Sequence, residues 1–422
     1  MTKVQPYRLA IVGGGPAGLS LARMLSNADG VEVVVFEREP MIGGKSHSLY
    51  DYARPIELGT SYTAIGHRIA KKWMKEVGVT LRKSGESRYD GQSFMGYVKA
   101  GGGRAFALQM LQFMWARRKL LRALKRKPDD ADALAEAALP VQTWLRARAL
   151  HKIERFMHRI LTTMGYGVVD EVSTLQALRW IDWDLLLTGA LNQIHAPEQG
   201  WTEFWMRASR HLNVETSAAV TLITRGETGV ILTVNGEERS FDGVVCAAPF
   251  DQFVDLVEPS EEERWLAEAF DWTGYASALV AVPKWYEGFE IDGYSDAARA
   301  GAPKGKMLGA RYEADAPELG GRLFITGQLP GEYSEPELEE ILRREIIERG
   351  GQDPNVIMMR KWVYFAQWKG EAIREGLLTR MQAIQGRDRT WYTGALFSFE
   401  AISHIMEFNA RLAPRILADI AR

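Results

Sequence analysis

An α/β fold, opening on a Rossmann-type βαβ unit, is what this 422-residue sequence predicts. Three observations predict it. Arg8–Ser48 reads as strand, glycine turn, helix and second strand. A long helical stretch from Ala105 to about Trp205 is followed by runs of strands, of which Tyr275–Val282 and Arg322–Leu329 read as a separate sheet. Thr390–Leu417 closes the chain as an aromatic strand, a glycine and a helix.

In the first unit, Leu9–Val12 is an apolar run long enough for a buried strand, and Gly13, Gly15 and Gly18 form a G-x-G-x-x-G turn into a helix starting with Pro16 and Ala17. Gly13 allows the tight turn, Gly15 lets backbone approach a pyrophosphate, and Gly18 lets helix and strand pack closely. The helix N-terminus then presents unpaired N–H groups and a positive dipole end to phosphates. Val31–Phe36 is the second buried strand, and Glu37 follows it 19 residues after Gly18, where an acid can accept hydrogen bonds from an adenosine ribose. Strand, turn, helix, strand and acid in one register predict dinucleotide binding.

Composition sets outer bounds. The length exceeds what one core holds, so two or three domains are expected. Hydrophobic content of 46%, with 25% charged residues, suits a globular protein, and a net charge of -2 gives no long-range attraction to nucleic acid. The single cysteine, Cys246, lies in the apolar run Val244–Ala248; it excludes an internal disulfide framework and a cysteine-rich metal site, and no metal is expected. No apolar leader opens MTKVQPYRLA and no run of 18 apolar residues occurs. A cytoplasmic protein is expected, one able to touch membrane surfaces transiently.

In chain order, Ile69–Val77 reads as a helix, and Ser87–Val98 as a hairpin around Asp90-Gly91. Gly101-Gly102-Gly103 marks a boundary. Ala105–Lys127 is a helix stopped by Pro128, with a basic second half that suits either a solvated helix end or a membrane-facing helix. Asp129–Ala138 reads as a surface connection, Val141–Leu161 as a second helix, Met164–Gly167 as its break and Val172–Leu187 as its successor. Gly200-Trp201 opens another helix. Gly229–Val234 and Ser240–Val245 flank Asn235-Gly236, a strong hairpin signal. Ser334 with Glu337 makes a capping box before the helix Pro336–Arg349.

Gly43-Gly44-Lys45 follows Glu37-Arg38, and two glycines and a cation there let a second segment approach the same pyrophosphate. This arrangement resembles the two-dinucleotide-domain flavoproteins, the superfamily of amine oxidases, protoporphyrinogen oxidase and phytoene desaturases. The cofactor implied is FAD, ahead of NAD(P). Further stretches resemble one branch, the polyunsaturated fatty acid double-bond isomerases: GGKSHS (44 to 48 with Gly43), RPIELGTSYT (54–63), TTMGYGVVDEV (162–172), VYFAQW (363–368), MQAIQGRDRTWYTG (381–394) and the C-terminal helix.

The resemblance implies a Rossmann-type FAD-binding domain (1–80, 195–250 and 383–422), a mixed-sheet substrate domain (81–100 and 251–382) and a helical cap (101–194). It implies cofactor contacts at Gly13, Gly15, Pro16, Ala17, Gly18, Glu37, Arg38, Gly44, Lys45 and Ser46. Gly59 and Thr60 would pass beside the flavin ring, and Val220 would meet the adenine through its backbone. Gly394, Ala395, Ser403 and His404 would serve at the C-terminal motif, where helix N–H groups face the flavin. Ala395 departs from the pattern, which has an acid there for the ribityl chain. For substrate, Arg88 (or Arg82) would hold a carboxylate, and Tyr166, Tyr364 and Phe365 would line the cavity. No side chain is expected to be catalytic, since flavin N5 would carry the hydride. Two activities stay open: hydride abstraction from an unsaturated lipid-like molecule with its return, moving a double bond, or net oxidation by an oxidase or desaturase. The strand Tyr275–Val282 carries no lysine, Lys284 falling beyond it, which disfavours monoamine oxidation.

Overall fold

A computed structural model describes residues 5–100 and 102–421; the boundary expected at Gly101 lies partly outside them. Strand Tyr7–Val12 pairs in parallel with Val31–Phe36 on one side and Gly243–Cys246 on the other. Thr390–Tyr392 and Asn213–Glu215 complete a five-stranded parallel sheet at its two edges. Such a sheet needs cover on both faces, which explains the continuous apolar runs: Leu9, Ala10, Ile11, Val35 and Cys246 are all wholly buried.

Helix Pro16–Leu25 begins with proline where the missing N–H costs nothing. A Cβ on Gly18 would stand 2.0 Å from the Gly13 carbonyl oxygen, so only glycine lets this helix return so close to its strand. The last helix, Ile402–Ile420, lies against it. Asn409 fastens the two, its Nδ2 donating to the Ala17 carbonyl and the Ser20 Oγ, each at 2.8 Å.

A seven-stranded sheet follows the order Asn355–Trp362, Tyr275–Val282, Gly321–Gln328, Met307–Ala316, Ile291–Gly293, Ser87–Tyr89, Gln92–Ser93. Its neighbours run antiparallel except Ile291–Gly293 with Ser87–Tyr89. A three-stranded meander, Val220–Arg225, Val230–Val234 and Glu237–Phe241, turns at Asn235-Gly236 with φ of +50° and +88°, the geometry that dipeptide favours.

Several elements differ from the sequence reading. Ser240–Val245 is two strands: Glu237–Phe241 stays in the meander and Gly243–Cys246 enters the parallel sheet, with Asp242 Oδ2 accepting the Arg8 N–H at 2.7 Å between them. After the Asp90-Gly91 turn only Gln92–Ser93 is extended, because the Ser93 side chain caps a helix, Phe94–Lys99. Asp129–Ala138 is no mere surface connection. Asp130 caps a helix over Ala131–Ala138, whose Ala133, Leu134, Ala137 and Ala138 are buried. Val141–Leu161 breaks into Val141–Arg146 and His151–Met157 around Ala149 (φ +55°), then passes into a π-helical turn over His158–Thr163. Val172–Leu187 becomes Thr174–Trp180 and Trp183–Ala190, since the Asp182 side chain accepts the Leu185 N–H and starts a second helix. The capping box at Ser334 and Glu337 is present as read.

Candidate active site

A cavity of about 890 Å³ runs from the glycine turns of the parallel sheet to the face of the seven-stranded sheet. Its first part is backbone. Gly13, at φ +113°, leaves no room for a side chain, since a Cβ would meet Ala247 and Ala248 backbone at 2.9 Å. Gly44 faces Gly15, and a Cβ on Gly44 would stand 3.1 Å from the Gly15 Cα. Two glycine segments therefore converge beside the N-terminus of helix Pro16–Leu25, which has no side-chain cap. Unpaired N–H groups, a helix dipole and absent side chains make a cradle that fits a pyrophosphate.

Pro16, Ala17, Glu37 and Arg38 line this end, with Val220 from the meander. The Glu37 carboxylate is buried; Oε2 accepts the Gly14 N–H at 2.7 Å and Oε1 the Glu39 N–H at 2.9 Å. Each oxygen keeps a lone pair for a ribose hydroxyl. From the C-terminal segment, Gly394, Ala395 and Glu400 reach the cavity, followed by Ile402 at the start of the uncapped last helix.

Three groups of assigned residues sit elsewhere. Gly18 is buried behind the cradle and does not line the cavity. Ser46 is buried beside it, accepting from the Trp205 indole at 3.1 Å and contacting Thr60 Oγ1 at 3.2 Å. The Ser403 and His404 side chains turn away, His404 Nε2 standing 3.2 Å from the Arg179 carbonyl; only their backbone is at the helix start. Gly59 and Thr60 do line the cavity, but for Gly59 the close neighbour is the Lys45 carbonyl, 1.9 Å from a would-be Cβ, and Thr60 N–H donates to that carbonyl at 2.9 Å.

The middle of the cavity is aromatic. Tyr166 and Tyr364 stack at 5.9 Å, Tyr275 approaches Tyr364 at 5.6 Å, and Tyr62, Trp272 and Trp362 complete the wall. Burial pushes the Tyr62 and Tyr275 hydroxyls up to about 12, and those of Tyr166 and Tyr364 well above the usual tyrosine value, so all four are neutral. Phe365 stands behind this wall, wholly buried and at φ +52°; its N–H donates to Glu400 Oε2 at 2.7 Å. Lys45 Nζ sits 5.3 Å from the Tyr364 ring and 5.4 Å from that of Trp272, paired at 2.6 Å with Glu400.

Arg88 does not reach the cavity. In the extended strand Ser87–Tyr89, alternation sends Tyr89 inward and Arg88 outward, over the Phe289 ring at 4.3 Å and against Glu86 at 3.2 Å. Arg82 does line the cavity, 3.4 Å from Glu290, and so does Arg159, which the sequence reading overlooked. Arg159 leaves the π-helical turn and donates to the Arg88 carbonyl at 2.9 Å and to Ser87 Oγ.

Two buried titratable groups adjoin the aromatic wall. Burial pushes Glu57 up to about 7, against hydrogen bonds from Trp201 N–H and Ser48 Oγ that favour its charge. Burial holds His67 down at about 3, and its Nδ1 accepts the Ala64 N–H at 3.1 Å. Glu400, Arg159, Tyr62 and His67 were missed from sequence; Glu400 carried a usable signal as an acid just ahead of the last helix, and Tyr62 lay in the stretch RPIELGTSYT.

The family model for flavin containing amine oxidoreductase matches residues 16–371. Polyamine oxidase 2 of Arabidopsis thaliana is 24% identical over 262 residues, 58% of this chain and 52% of that protein. Polyamine oxidase 4 of Oryza sativa subsp. japonica is 40% identical over 57 residues, 14% of this chain and 12% of the other. The chain thus spans about half the length, or less, of the curated relatives it matches. Among solved structures, the CLA-producing fatty acid isomerase from P. acnes superposes with a TM-score of 0.81 at 21% identity, covering 97% of this chain and 98% of that one. Cyclohexylamine oxidase from Brevibacterium oxydans IH-35A gives 0.70 at 15%, covering 99% and 100%. At such identities the likeness is one of fold. The chain belongs to the flavin containing amine oxidoreductase family and is an FAD-dependent enzyme.

Proposed function

We propose that this member of the family moves a double bond in an unsaturated, lipid-like substrate, the hydride removed from an allylic carbon returning to another carbon of the same molecule. FAD, when bound, supplies the hydride acceptor and donor. The observation that carries the reading is the neutral aromatic wall of Tyr62, Tyr166, Tyr275, Tyr364, Trp272 and Trp362. It offers an apolar chain close packing and excludes water. Strand Tyr275–Val282 carries no lysine, and Lys45 is held by Glu400 at 2.6 Å. Arg82 and Arg159 supply cations on the same cavity, where a carboxylate headgroup would be held. In this reading Gly13, Gly15, Gly44, Glu37 and the start of helix Ile402–Ile420 hold FAD.

A second reading, net oxidation of an amine, is favoured by other residues of that cavity. Glu313 and Glu400 both line it with nearly buried side chains, and carboxylates of that kind attract a cationic substrate. The curated relatives, named polyamine oxidases, agree with this alternative.

One experiment separates them. The FAD-loaded enzyme is incubated with polyunsaturated fatty acids deuterated at the allylic carbon, with conjugated-diene absorbance and oxygen uptake recorded together. Isomerisation gives diene absorbance without oxygen, and the deuterium reappears at the new position. Peroxide in step with product, with the label lost, replaces the isomerase by an oxidase.

A further inference from the structure

The helix Gly103–Arg126 has one face that stays exposed among the described residues. Phe113, Met114, Leu120 and Leu124 are buried. On the outer side Leu108, Leu111 and Trp115 are 58%, 62% and 69% exposed. Stepping about 100° per residue, Arg104, Leu108, Leu111, Trp115, Arg118, Lys119, Arg122, Lys125 and Arg126 fall within a wedge of about 120°. No acid occurs between Gly103 and Pro128. None of those six cations forms an ion pair among the described residues, and Lys119 rests 5.8 Å from the Trp115 ring.

Three large apolar side chains and six unpaired cations on one convex helical face make a surface of a particular kind. It is a convex face and not a groove, and its six cations disfavour an apolar peptide or helix as the partner. A second copy of the chain would bring the same cations against one another. An anionic phospholipid surface meets both features, since the cations pair with headgroup phosphates and the apolar residues enter the headgroup–acyl boundary. No helix among the described residues is long and apolar enough to cross a membrane, so contact would be along the plane.

We propose that this face of helix Gly103–Arg126 docks the enzyme peripherally on anionic bilayers. The inference does not depend on the substrate reading, although the two are compatible. The inner side of the helix packs on helix His151–Met157, with Gln109 Oε1 accepting the Lys152 N–H at 2.9 Å, and that helix runs on into the turn that carries Arg159 and Thr163 into the cavity. One helical layer therefore separates the docking face from the cavity wall.

The test uses the FAD-loaded chain in flotation with vesicles of phosphatidylglycerol and phosphatidylcholine, and with phosphatidylcholine alone. Binding to the anionic vesicles is expected, and little to the neutral ones. The triple variant Leu108→Gln, Leu111→Gln, Trp115→Gln should remove it. The charge variant Arg118→Glu, Lys119→Glu, Arg122→Glu should weaken it by about 100-fold or more. Both should keep bound flavin and wild-type melting, since every altered residue is exposed. Absence of wild-type binding, equal binding to neutral vesicles, or binding unchanged in both variants would overturn the proposal. So would a dimer in sedimentation that the apolar triple variant abolishes, because the stripe would then be a contact between copies.

Discussion

Lys45 and Glu400 lie 355 residues apart in the chain, yet Nζ and Oε1 meet at 2.6 Å on the wall of the cavity. The first comes from the second glycine segment, the other from the turn before the last helix. Through its second oxygen Glu400 also accepts the Phe365 N–H, at 2.7 Å. One carboxylate therefore ties the cofactor-side segment, the aromatic wall and the C-terminal helix together.

Replacing it with the uncharged amide, Glu400→Gln, keeps the shape but leaves Lys45 without its counter-ion. Because Lys45 is partly exposed, the expected loss is modest, about 1–3 kcal/mol of unfolding free energy. Urea unfolding with and without added FAD measures it. An unchanged midpoint would mean that the pair contributes nothing net.

The glycines separate into two kinds. Gly15→Ala has room in the protein, its Cβ meeting nothing nearer than the Gly44 Cα at 3.8 Å, whereas Gly18→Ala drives a Cβ to 2.0 Å from the Gly13 carbonyl oxygen. Gly15→Ala should fold normally and bind FAD at least about tenfold more weakly, by obstructing the pyrophosphate. Gly18→Ala should lose stability whether or not FAD is present. Flavin titration beside thermal melting distinguishes the two.

Glu57 and His67 give opposite slopes of stability against pH. Glu57 is raised from its ordinary 4.5 to about 7, so the folded protein keeps a proton that the unfolded chain has released. Its contribution is complete below pH 4.5 and disappears as pH rises through 7, on the order of 3 kcal/mol in all. His67 is depressed from 6.5 to about 3, so its contribution is complete above pH 6.5 and disappears as pH falls through 3. Glu57→Gln should flatten the curve on the neutral side and His67→Gln on the acid side. Denaturation midpoints from pH 4 to 8 follow both.

Ala395 lines the cavity just after Gly394, at the position where the resembled pattern has an acid for the ribityl chain. Ala395→Glu is expected to tighten FAD by about 1 kcal/mol or more through a charge-assisted hydrogen bond. Equilibrium titration of the apoprotein with FAD reports the change. Weaker binding would show that the cradle is built around the methyl group.

What could be read in advance followed local rules. The Gly13–Gly18 turn, the Asn235-Gly236 hairpin and the Ser334 capping box each rest on residues within a few positions of one another, and all stand where the pattern put them. Arg88 stands outside the cavity for a reason that is not local: which side of a three-residue strand faces a cavity depends on its partner strand, Ile291–Gly293. Arg159 was invisible because a π-helical turn, which has no sequence signature, aims it. The Ala131–Ala138 helix was hidden by an acidic, alanine-rich composition whose buried side shows only in the fold.

The parallel sheet also has a history in time. Its edge strand Thr390–Tyr392 and the helix that covers Pro16–Leu25 come from the last tenth of the sequence. At about 5–20 residues per second, roughly 20 to 75 seconds of synthesis separate Leu25 from its covering helix. Through that interval the nascent chain exposes an apolar helix face and an unpaired sheet edge, with loop closure over hundreds of residues still to come. The enzyme is therefore expected to lean on chaperones during translation, and to complete its cofactor cradle only once the helix Ile402–Ile420 has emerged and docked.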